Sequence, residues 1–129
     1  MRVLLDTHVL LWMMGESQSL SDSALRVLAD ETNELLFSSI SIAEVAIKHQ
    51  KNAVLMPLSP DDVRFAAKEC GVQELEFNSG HAVVLGTLPL LHRDPFDRML
   101  IAQAKAENMS LITHDALLPY YEEKCIIPV

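Results

Sequence analysis

The chain has 129 residues, half of them apolar, and a formal net charge of −8 at pH 7. That length predicts one domain over residues 1–129, large enough to bury roughly two-thirds of its unfolded surface and fold without staples. The negative balance excludes a protein that coats itself in nucleic acid through its overall field, so any RNA contact needs a local basic patch or bound cations. The two cysteines, Cys70 and Cys125, form no C-x-x-C pair and are expected as free thiols. Asp6 and His8 break the apolar N-terminus, so it does not read as a signal peptide, and no run approaches the ~20 apolar residues of a membrane span. A cytoplasmic protein without membrane contact is expected.

In chain order, Val3-Leu4-Leu5 is a continuous apolar run ending at Asp6, the form of a strand covered on both faces. Ser21 to Glu31 predicts a helix with Ser21 as N-cap and Leu25 and Leu28 on one face. Leu35 to Ser38 is a second strand. Ile42 to Lys51 is helical, with Ile42, Val45, Ala46 and His49 on one stripe. Ser59 and Pro60 open another helix, Pro60 at its first position and Gly71 just past its end. Val72 to Phe77 is a weaker third strand, and His81 to Gly86 a short helix. Pro95 to Asn108 is the clearest helix, with Met99, Ala102, Gln103 and Ala106 on one face and Phe96, Leu100 and Ala104 around the side. Ser110 to Thr113 is a fourth strand, and Cys125-Ile126-Ile127 a possible fifth. Strands alternating with helices predict an α/β fold whose central, mostly parallel sheet of four to five strands carries helices on both faces, a three-layer α/β/α arrangement. There is no internal repeat, linker or low-complexity tract.

Four acids fall where such a fold gathers ligands, outside the carboxyl ends of the strands. Asp6 ends the first strand, Glu44 is expected in the first turn of the helix after the second, and Asp115 follows the fourth. Asp97 joins them if the long helix starts at that edge. Two unit charges ~4 Å apart repel by about 4 kcal/mol at an effective dielectric of ~20, so four clustered carboxylates need protonation or a cation among them. Oxygen-only ligands select hard ions such as Mg²⁺ or Mn²⁺. An ion so held activates water and stabilises charge developing on a phosphodiester, which is the chemistry of nucleic-acid hydrolysis.

Each acid also has a plain structural use. Asp6 suits an N-cap for a helix starting at Thr7. Ser41-Ile42-Ala43-Glu44 fits a capping box. Asp97 suits the positive end of a helix dipole, and Asp115 a turn or a cap for a helix from 116 onward. Asp94, before Pro95, reads as the N-cap of the long helix or as an accessory ligand to Asp97, three residues on and on the same face.

With these residues in place, the sequence resembles a PIN-domain protein, and within that family the VapC-type toxin ribonucleases. The resemblance runs over nearly the whole chain. It is carried by Leu4-Leu5-Asp6-Thr7-His8-Val9-Leu10-Leu11-Trp12, by Ser39-Ile40-Ser41-Ile42-Ala43-Glu44, by the stretch from His92 to Ala104 with both its aspartates, and by Leu111-Ile112-Thr113-His114-Asp115. It implies that Asp6, Glu44, Asp97 and Asp115 are the catalytic, Mg²⁺-binding carboxylates, Mn²⁺ being able to substitute. It further implies an endoribonuclease acting on RNA, silenced by a cognate antitoxin protein, and commonly a homodimer.

Around the acids, Thr7, Arg93, Arg98 and Thr113 are candidates to hold substrate or to fix a ligand by hydrogen bonding. Lys48 and His49 read better as solvated or paired with neighbouring acids. His8 and His114 are expected to support the site from behind rather than ligate, since an oxygen cage suffices. Trp12, Met13 and Met14 read as core, and Tyr120-Tyr121 as packing rather than RNA stacking. Two rival readings share the pattern. One is a catalytically silent PIN-like module that binds RNA or protein. The other is a receiver or phosphatase, which needs a late lysine at a strand end, and neither Lys105 nor Lys124 sits at one.

Overall fold

The structure, a computed structural model, describes residues 1–91, 93–115 and 125–129. The readings made for His92, Tyr120, Tyr121 and Lys124, and for a helix from 116 onward, lie outside the described residues.

Five strands form one sheet: β1 (Arg2–Leu5), β2 (Glu34–Ser38), β3 (Gln73–Leu75), β4 (Ser110–Thr113) and β5 (Ile126–Pro128). All the pairings are parallel and the order is β3-β2-β1-β4-β5. The helices are α1 (Thr7–Gly15), α2 (Asp22–Ala29), α3 (Ser39–Lys51), α4 (Pro60–Glu69), α5 (Ser79–Leu85) and α6 (Pro95–Ala106), with a 3-10 turn at Ser17–Ser19.

Side chains alternate across each strand, so the apolar runs feed two cores. Val3, Leu5, Phe37 and Ile112 pack on one face with Val9, Leu10, Ala24, Val63 and Ala67 from α1, α2 and α4. Leu4, Leu36 and Leu111 pack on the other with Leu100, Ile101 and Ala104 of α6, against which Val84 and Leu85 of α5 lie. This is the expected three-layer α/β/α fold, with a sheet that is wholly parallel.

Local chemistry sets the helix limits. Ser21 caps α2, accepting from Ala24 N–H at 3.1 Å. Ser59 and Asp62 form a capping box at α4, with Pro60 at its first position. Gly71 follows α4 with φ +79°, a left-handed conformation that suits glycine.

Two helix faces differ from expectation. Leu25 is exposed while Ala24 is buried, so the inward stripe of α2 is centred one residue earlier. In α6 the buried residues are Leu100 to Ala104 in unbroken succession, and Ala106 is exposed. This helix is covered both by the sheet and by α5, so the middle of it has no solvated face to mark a period.

β1 lies between β2 and β4, so the chain reverses its direction of travel across the sheet at β1. In open α/β sheets the crevice at such a reversal, at the carboxyl ends of the strands, is the natural ligand site.

Candidate active site

Asp6 stands at that reversal. It leaves β1 with φ −69° and ψ 166° and caps α1, its Oδ1 accepting from Val9 N–H at 2.8 Å. Its Oδ2 accepts from the Thr113 hydroxyl at 2.6 Å and from His114 N–H at 3.1 Å, both at the end of β4. The residue is 2 % exposed. Burial pushes the carboxyl above the usual aspartate range, and the hydrogen bonds from Thr113, Val9 and His114 oppose the push without cancelling it. Thr113 Oγ1 in turn accepts from Asp115 N–H at 3.0 Å, so the Asp115 backbone is tied to the same chain of contacts. Trp12 lies between the rings of His8 and His114, at 5.7 and 5.0 Å between centroids, and walls this side of the edge.

Glu44 enters from α3. That helix starts at Ser39, with Ser38 as its N-cap accepting from Ile40 N–H at 2.9 Å. Ser41 is therefore inside the helix, and the expected capping box with Glu44 does not form. Glu44 belongs to the second turn rather than the first. The Ser41 hydroxyl instead meets the Thr7 hydroxyl at 2.9 Å, which fastens α3 to the residue after Asp6. The Ser38 hydroxyl donates to Gln103 Oε1 and so links the start of α3 to α6. Glu44 is 2 % exposed. Its Oε2 accepts from Lys48 Nζ at 2.6 Å, while Oε1 is buried and has no hydrogen-bond partner.

The third element is α6. Asp94 is its N-cap, accepting from Phe96 N–H at 2.9 Å, and Asp97 lies in its first turn. Burial pulls the Lys48 ammonium down, but the Glu44 hydrogen bond and charge, with Asp94 and Asp97 behind them, hold it above the ordinary lysine range. Lys48, read from sequence as solvated or paired with neighbouring acids, is paired with Glu44 of its own helix. The i, i+4 spacing from Glu44 was the signal for it.

Arg98 turns away, donating to the Leu88 carbonyl at 3.3 Å, and Arg93 is exposed. His49 is held by the Met56 carbonyl at 2.7 Å. In the sequence Ser41 was read only as half of a capping box, Ser38 as a strand end and Gln103 as part of a helix face; the hydrogen bonds that they make between elements were not foreseen, and a glutamine on an otherwise apolar face was the signal that could have pointed to one. Among the described residues, no three of His, Cys, Asp and Glu stand close enough together to enclose a metal ion. The donor chemistry nevertheless suits a hard cation. The acids offer oxygen only, one buried carboxylate oxygen is unpartnered, and the positive group among them is a lysine.

The model of the PIN domain family matches residues 3–124. This chain belongs to the PIN-domain family. Several solved structures share the PIN fold with it. A chain of the VapBC2 complex from Rickettsia felis, bound to a DNA fragment from its promoter, matches with a TM-score of 0.68 at 19 % identity over 100 % of this chain and 98 % of that one. A chain of a toxin–antitoxin complex from Klebsiella pneumoniae gives 0.64 at 17 %, over 97 % and 95 %. One of VapBC-1 from nontypeable Haemophilus influenzae gives 0.62 at 17 %, over 95 % and 92 %. At these identities the likeness to this PIN-domain protein is one of fold. A comparison with curated protein sequences gives no match.

Proposed function

We propose that this PIN-domain protein is a metal-dependent endoribonuclease and the toxin of a toxin–antitoxin pair. PIN domains are generally nucleases and generally use divalent ions, and the solved relatives named above are toxin–antitoxin assemblies. The observation that carries the reading is the buried Asp6 carboxylate at the chain-reversal point of the sheet, held by Thr113 and His114 of the neighbouring strand end.

Asp6, Glu44, Asp97 and Asp115, with Asp94 as an accessory, are the residues that would hold Mg²⁺ or Mn²⁺. When bound, such an ion supplies an activated water and stabilises the charge that develops on a phosphodiester. The protein's own groups prepare the edge for it. Thr113 and His114 fix the direction of the Asp6 carboxylate. The Thr7–Ser41 contact sets α3, and with it Glu44, against α1. Arg93 is exposed at the mouth of α6 and available to a substrate phosphate. A cognate antitoxin and a second copy of the chain are the proposed protein partners; the strong exposure of Val54, Leu55, Val83 and Leu90 supports contacts of that kind.

Asp97→Asn is expected to abolish cleavage of a single-stranded RNA in Mg²⁺ while leaving the circular dichroism spectrum unchanged. A folded variant as active as the parent would remove Asp97 from the chemistry. The competing reading, a silent PIN-like binding module, is favoured by the spacing of the acids, no three of which are grouped around a common point among the described residues. Saturable Mn²⁺ binding that depends on Asp6 decides between the two, since a silent module has none. Growth arrest on induced expression, relieved by Asp6→Ala, tests the toxin assignment.

A further inference from the structure

Lys48 and Glu44 have the spacing of an ordinary helix-surface ion pair, yet their surroundings are not those of a surface. The Glu44 side chain is 3 % exposed and the Lys48 side chain 44 %. One Glu44 oxygen is buried without a partner. The charges of Asp94 and Asp97 on α6 add, after that of Glu44, to what favours the charged ammonium. A pair formed merely to steady a helix has no reason to bury its carboxylate or to leave one of its oxygens bare. A cation standing in for another cation accounts for both.

We propose that Lys48 is a tethered counter-ion of the acidic site: its ammonium neutralises Glu44 while no divalent ion is bound, and it gives Glu44 up when one enters. The inference rests on the metal-dependent reading above and adds a competitor to it. A buried Glu44 carboxylate is costly in the ion-free protein, and a charge on a flexible four-carbon stem offsets that cost without closing the site. With nearly half of its side chain in solvent, Lys48 can swing outward without unpacking a neighbour. The lysine therefore sets how tightly the site takes an ion.

Mn²⁺ titration by calorimetry without RNA tests this. Lys48→Met keeps the stem and removes the charge. It is expected to bind Mn²⁺ about tenfold more tightly than the parent, the factor that loss of ~1.4 kcal/mol of competition gives. Its melting temperature is expected to fall without the ion, as Glu44 loses its partner, and to rise with Mn²⁺ by more than that of the parent. Lys48→Arg keeps the charge and is expected to bind no more tightly than the parent. If Lys48→Met does not fold, Lys48→Gln takes its place with the same expectations. Unchanged or weaker binding by the folded, uncharged variant overturns the role of Lys48 alone. Absence of saturable Mn²⁺ binding in the parent overturns the metal-dependent reading and this inference with it.

Discussion

The Asp6 carboxylate accepts three hydrogen bonds, one from its own helix and two from the end of β4. Cap and candidate ligand are therefore one group: the bond that starts α1 also fixes which way the carboxylate faces. Thr113 is the joint, since its hydroxyl donates to Asp6 and accepts from Asp115 N–H. Thr113→Val keeps the shape and removes both contacts. Losing a buried hydrogen bond to a charged acceptor is expected to cost about 1.5–3 kcal/mol, read from the urea midpoint of the ion-free protein. RNA cleavage should fall with it, because Asp6 and Asp115 lose their common anchor. An unchanged midpoint would show that water replaces the hydroxyl and that Thr113 does not order the site.

At the scale of elements, β1, β2 and β4 were legible because each is a short apolar run ending at a polar residue, at Asp6, Ser38 and Thr113. The helix start at Ser59 was legible because Pro60 marks the first helical position, and that at Ser21 because it directly precedes the periodic run. The start of α3 was not, since Ser38, Ser39 and Ser41 competed within four positions. Ser38 takes the cap because its hydroxyl also reaches Gln103 on α6, a contact that depends on the assembled fold. The same shift moves Glu44 into the second turn, where Lys48 of the next turn faces it. The i, i+4 spacing permits the pairing of Lys48 with Glu44, but the added influence of Asp94 and Asp97 on the lysine was not legible, because those acids lie about fifty positions further along the chain. Gly71 gives a clean test of the turn that delivers β3. Its φ is +79°, and an added Cβ would meet nothing within 4 Å, so Gly71→Ala has only a conformational cost. A loss of about 1–2 kcal/mol is expected, measured by thermal melting, with RNA cleavage at low temperature unaffected because β3 is the edge strand furthest from Asp6 and β4. A loss well beyond that range would mean that α4 and β3 shift together.

For the whole molecule, the negative total and the proposed site are two sides of one electrostatic problem. With a net charge of −8, the chain has no overall attraction for RNA, and its site acids add repulsion where the substrate would lie. On the proposed reading a divalent ion would reverse the local sign and offset the charge of the acids that hold it, so binding and global stability should be linked. A ligand that binds only the folded state at one hundred times its dissociation constant adds about 2.7 kcal/mol of stability. The melting temperature of the parent is therefore expected to climb with the logarithm of Mn²⁺ concentration once the site is half filled. Asp6→Ala should lose that increment while still melting cooperatively, because the two cores on either side of the sheet do not depend on the ion. Calcium-sized and magnesium-sized ions should differ in the slope's onset and not in its form wherever the same number of ions is taken up per folded chain. If the parent and Asp6→Ala climbed in parallel, the ion would be acting on the acidic surface as a whole, and the charge of the molecule rather than the reversal point of its sheet would be what the metal reads.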